Sequence, residues 1–177
     1  MVLLGLFNRS TICLLSKPKC SRCYININRL VGRFSYAGIG VVIKDFAGKV
    51  IGALLERIEL PTTVEVVDAL ACRRAIAFAL ENGLHQVVFE GDLTTVLNCI
   101  QASSPRLVSF GNVIEDSIAL ASQLCDCSFS HVRRKGNAVA DKLAKLAKYL
   151  VVPQVWLEDI PSDVDSLVLI DSSFAVV

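Results

Sequence analysis

Two Val- and Ile-rich runs, Ala37–Lys44 and Lys49–Glu59, stand on either side of Asp45-Phe46-Ala47-Gly48. Apolar runs joined by so short a segment can only fold back on each other as an antiparallel hairpin, with Gly48 supplying the positive φ that side chains resist. Upstream, Arg22-Cys-Tyr-Ile-Asn-Ile-Asn28 alternates apolar and polar residues, the period of a half-buried strand. The fold therefore opens with three antiparallel strands.

The period then changes. Pro61-Thr62-Thr63 opens a helix with a threonine cap, Glu65 suits its N-terminal dipole, and Gly83 closes it. Val64, Val67, Ala71, Ala75 and Phe78 are its expected buried stripe, and Asp68 projects from the margin of that stripe. An acid there needs a partner, because an unpaired charge is costly to bury. Gln86–Glu90 is a fourth strand, followed by a short helix over 93–101, a loop over 103–109 and a helix over 110–124. A fifth strand over 127–133, a turn at Lys135-Gly136 and a last helix over 137–149 complete the order βββαβα(α)βα, a mixed α/β layer design. The tail, 151–177, mixes apolar residues with five acids over 154–171 and is expected to pack on or near the domain.

Composition narrows the class. Of the 177 residues, 53% are hydrophobic and 20% charged, which excludes disorder and fits one globular domain with a sizeable core. No apolar run approaches the roughly 18–20 residues that span a bilayer, so no membrane partner is expected. The net charge of +1 conceals an asymmetry: residues 1–44 hold seven Lys/Arg and no acid, leaving −6 on the remainder. Residues 1–21 are thus an extension ahead of a domain over 22–150, compatible with a transit-like segment or with a stretch outside the native domain. The seven scattered cysteines favour reduced thiols inside the cell, in nucleus or cytoplasm, with an organelle left open by the basic start. Cys20-x-x-Cys23 and Cys125-x-Cys127 lack a zinc-knuckle context, and no zinc site is expected.

Four phrases in order carry a resemblance: Ala37-Gly-Ile-Gly-Val-Val-Ile-Lys-Asp45, Val64–Ala75 with Asp68-Ala-Leu-Ala71, Val88-Phe-Glu-Gly-Asp92, and His131-Val-Arg-Arg-Lys-Gly-Asn137 continuing to Asp141-Lys-Leu-Ala144. Together they resemble the ribonuclease H fold, and within it the plant reverse-transcriptase-like, type 1 ribonuclease H-type domain of retroelements and their relatives. The likeness runs from about 22 to 171 and includes Gln154-Val-Trp-Leu-Glu-Asp-Ile-Pro161. It implies a three-layer α/β fold: a five-stranded mixed sheet, its first three strands antiparallel, with helices on both faces. It also implies a monomer that acts on RNA–DNA hybrids with two Mg²⁺ ions. Such ions sit roughly 3.5–4 Å apart, one activating water and one stabilising the leaving oxygen. They prefer hard carboxylate oxygens, and four acids would hold them.

Carried over residue by residue, the acid set is incomplete. Asp92 matches the acid after strand four, Asp141 that of the last helix, and Asp68 stands where the first helix normally has Glu. The strand-one position, normally Asp-Gly, is Asn28-Arg29. An amide is neutral and has one acceptor oxygen, so it cannot bridge two metals, and Arg29 adds a cation beside them. Catalytic and metal roles thus fall to Asp68, Asp92 and Asp141, with Asn28 a degenerate position and cleavage expected to be impaired. Plainer readings stand alongside: Asp92 as the cap of the helix after it, Asp141 on a solvated face paired with Lys145, and His131 as a hydrogen-bonded strand residue. A histidine that some relatives place in the loop before the last acid is absent. Arg133, Arg134, Lys135 and Asn137 would border the substrate groove and meet phosphates. The alternative is a fold kept as an inactive nucleic-acid-binding or interaction module, or a decayed retroelement copy.

Overall fold

The computed structural model describes residues 22–31, 35–102 and 109–174. The N-terminal extension, Cys20 and most of the loop expected over 103–109 lie outside the described residues. One six-stranded sheet organises the chain. β1 (Cys23–Val31), β2 (Tyr36–Lys44) and β3 (Val50–Glu59) form the antiparallel set, and β4 (Gln86–Gly91) and β5 (Asp126–His131) extend it in parallel. β6 (Gln154–Leu157) completes the spatial order β5-β4-β1-β2-β3-β6. The β2–β3 turn is closed by the Gly48 amide donating to the Asp45 carbonyl at 3.0 Å, with Gly48 at φ 80°.

β1 lies between an antiparallel and a parallel neighbour, and its alternation divides the core. Ile25 and Ile27, with Ile39, Val41, Ile43 and Leu54, face α1 (Val64–Glu81), α2 (Thr94–Gln101) and α3 (Gly111–Ala121). Val42, Ala53 and Leu55 on the other face meet Val139, Ala140 and Leu143 of α4 (Ala138–Ala147). There the helix backbone rests almost directly on β2. A Cβ on Gly38 would lie 2.1 Å from the Ala144 carbonyl oxygen, and one on Gly40 would lie 2.4 Å from that of Ala140. The glycines of the Ala37-Gly-Ile-Gly phrase are therefore a steric requirement of α4. Among the described residues, no helix is long and apolar enough to cross a membrane.

Three expectations change. The sheet has six strands rather than five, because the tail supplies β6 along the outer edge of β3, from Gly52↔Leu157 to Leu55↔Gln154. An uncovered β3 edge would leave its backbone groups unpaired. Trp156 is the one residue of this strand turned towards the α4 cluster, a signal too short to read from sequence. α5 (Asp165–Phe174) then follows against α4. At the start of α1, Thr63 holds the N-cap position without a side-chain capping bond, and Val64 is exposed rather than part of the stripe. Finally, Asp92 is not at the N-cap position of α2: that helix begins at Thr94 behind Leu93, and Asp92 stays in the preceding bend.

Candidate functional site

Because adjacent strand residues point to opposite faces, Asn28 and Arg29 at the end of β1 serve different helices. Asn28 pairs in register with Gly40, under α4. Its Nδ2 donates to Asp141 Oδ1 at 3.3 Å, while its Oδ1 accepts the Arg29 backbone N–H at 2.7 Å. The amide oxygen thus turns to its own backbone, and a donor faces the carboxylate. Lys145, one turn along α4, pairs with the other oxygen of Asp141. The i,i+4 pair read from sequence is present, and so is the approach of Asp141 to the strand-one position.

On the opposite face the Arg29 guanidinium grips Asp68 of α1 in a fork. Its Nε bonds to Oδ1, and Nη2 donates to Oδ2 at 3.1 Å. This is the partner that Asp68, 8% exposed, required. Burial is the largest influence on that carboxyl and raises its pKa. The bonds and charge of Arg29 oppose the rise, and the charges of Glu65 and Asp92 add to it. Asp92 therefore shares the electrostatic neighbourhood of Asp68. Its side chain meets His131 at the end of β5, with Nε2 3.0 Å from Oδ1.

A pair of divalent ions does not fit this donor set. Asn28 presents a hydrogen-bond donor rather than a carboxylate oxygen to Asp141, and both oxygens of Asp68 are held by Arg29. Three carboxylates against the cations Arg29 and Lys145 leave a formal charge of −1. Among the described residues, no three His, Cys, Asp or Glu side chains gather as metal ligands. The five described cysteines, including both members of the Cys125-x-Cys127 pair, form no disulfide among the described residues.

Of the groove candidates, Arg133 is exposed just before a 3₁₀ turn, Arg134–Asn137. The side chains of Arg134 and Lys135 lie outside the described residues. Asn137 is buried, and its Nδ2 donates to the Ile27 carbonyl at 2.7 Å, while its Oδ1 has no hydrogen-bond partner among the described residues. That bond ties the start of α4, and so Asp141, to β1. A second buried amide, Asn26, donates to Glu90 Oε2 at 2.9 Å. The sequence reading did not single out this pair. The two-residue spacing of Asn26 and Asn28, which places both on one face of β1, was the available signal.

A central β1 flanked by the β2–β3 hairpin and parallel β4, with acids drawn from α1, the end of β4 and α4, defines the ribonuclease H fold. The N-terminal RNase H domain of Rv2228c from Mycobacterium tuberculosis superimposes with a TM-score of 0.64 at 20% identity, over 72% of this chain and 94% of that one. RNase H1 from Halobacterium salinarum gives 0.62 at 21%, over 72% and 96%. LC11-RNase H1, solved in complex with an RNA/DNA hybrid, gives 0.60 at 22%, over 71% and 94%. The chain belongs to the reverse transcriptase-like family, whose sequence model matches residues 26–147. No curated protein sequence matches it significantly.

Proposed function

We propose that this chain is a ribonuclease H-type domain that binds RNA–DNA hybrids and has lost most or all Mg²⁺-dependent cleavage. The carrying observation is Asn28, whose amide donates to Asp141 at the place where a carboxylate would bridge two ions. Binding is supported by the fold, shared with a protein solved on such a hybrid, and by the basic Arg133-Arg134-Lys135 segment beside the end of β5. Recognition of this kind reads backbone shape and 2′-hydroxyls and needs no metal. The charge of −6 over residues 45–177 keeps non-specific attraction to polyanions weak.

The test uses a labelled RNA–DNA hybrid, with binding measured in EDTA and cleavage in Mg²⁺ or Mn²⁺. The expected result is hybrid binding, preferred over duplex DNA, with cleavage near background. Robust cleavage by the unmodified chain that Asp92→Asn abolishes would overturn the loss of activity. Absence of hybrid binding at low salt would overturn the binding role and favour an interaction module.

A further inference from the structure

We infer that Arg29 is a built-in counter-cation and that, with Asn28, it closes the acidic site to divalent ions from both faces of β1. The inference rests on reading Asp68, Asp92 and Asp141 as the site, but not on hybrid binding. Asn28 and Arg29 are consecutive, so one side chain reaches α4 and the other α1. Between them they engage two of the three acids, on two different helices. Neither residue alone covers both.

The chemistry of the two contacts differs. Arg29 meets both oxygens of Asp68 with the planar fork that matches a carboxylate. Its side chain is 22% exposed and that of Asp68 11%, so water screens the pair little. An ion approaching Asp68 would have to displace a cation that is already desolvated and covalently tethered. On the α4 face the amide of Asn28 donates to one oxygen of Asp141 and turns its own oxygen to the Arg29 backbone N–H, while Lys145 holds the other carboxylate oxygen. The buried carboxylate of Asp68 requires a positive partner, and the chain provides one from its own backbone strand.

Reversal must therefore be double. Asn28→Asp restores a carboxylate on the α4 face but leaves Arg29 on Asp68. Arg29→Gly frees Asp68 but leaves the amide at Asp141. The experiment is Mn²⁺ titration by calorimetry, with thermal unfolding with and without about 10 mM Mn²⁺, on the unmodified chain, N28D, R29G and N28D/R29G. Only the double variant is expected to bind Mn²⁺, at least about tenfold more tightly than the others, and to gain several degrees in Tm from the ion.

N28D binding Mn²⁺ as well as the double variant would overturn the role of Arg29, and R29G doing so would overturn that of Asn28. A folded double variant that binds no Mn²⁺ would overturn the inference as a whole. Should R29G unfold, N28D/R29Q keeps a neutral side chain that still covers the surface. The unmodified chain gives an independent check: selective Mn²⁺ broadening of the Asp68, Asp92 and Asp141 amide resonances would also overturn the inference. Loss of hybrid binding with these ion results intact would instead count against the proposed function alone.

Discussion

Gly40 and Asn28 face each other across the β1–β2 ladder, on the same side of the sheet and under the same helix, yet they answer to different demands. At Gly40 the demand is steric. The α4 backbone passes so close that any Cβ would enter it, so the residue belongs to the architecture. At Asn28 the demand in an active ribonuclease H is chemical. An amide has the shape of a carboxylate, fills the same space and supplies a hydrogen bond where two carboxylates would repel. The lesson is that the residue that sets the packing distance, Gly40, is not the residue that faces the acid of α4, so the two positions can vary independently.

Substitution on each side of that pair sharpens the contrast. Gly40→Ala is expected to have the largest effect, about 3 kcal/mol or more of lost stability in a denaturant titration, because the intruded atoms are helix backbone and cannot rotate away. A cost under about 1 kcal/mol would mean that α4 slides freely on β2. Next is Arg29→Ala, which strands the Asp68 carboxylate and should cost about 2–3 kcal/mol, somewhat below a fully buried pair. Its pH dependence follows from sign. Asp68 is an acid whose folded pKa is already raised, and losing Arg29 raises it further. Such a group favours the folded state when protonated, and that contribution is lost as pH rises from about 4. The Arg29→Ala deficit should therefore be small near pH 3 and full at neutrality, and adding Asp68→Asn should recover most of it. A deficit that is flat with pH would place the effect in packing.

Asn28→Asp should be milder, about 1–2 kcal/mol in EDTA, from losing one hydrogen bond and placing a second carboxylate beside Asp141. A stabilisation would show that Lys145 takes up the new charge. Smallest for the fold is Arg133→Ala, within about 0.5 kcal/mol because the side chain is exposed. Its effect should appear instead in hybrid binding, as weaker affinity across sequences and a salt slope smaller by about one. An unchanged slope would remove Arg133 from the phosphate contacts.

Legibility followed the range of the interactions. The β2–β3 hairpin, the alternation of β1 and the helical period of α1 are local patterns, and each appears where the sequence places it, with ends shifted by a few residues. Asp92 shows where local rules stop: Asp before a helix is a good cap by preference, yet the chain turns one residue later and the carboxylate goes to His131. β6 was hidden for a similar reason. Four residues carry no period, and their strand character comes from the open edge of β3.

The sequence by itself was enough to determine that the chain builds a ribonuclease H-type α/β layer fold, and that its first strand ends in Asn28 followed by Arg29. Both are properties of pattern and residue identity, which need no coordinates. Only the tertiary structure decided whom those two residues serve. Sequence places Arg29 beside a site. The alternation of β1 and the position of α1 turn it onto Asp68, 39 residues away, while Asn28 turns to Asp141, 113 residues away. A side chain's partner across such separations depends on how the helices cross the sheet, and on this face the crossing is governed by two glycines with no side chain of their own.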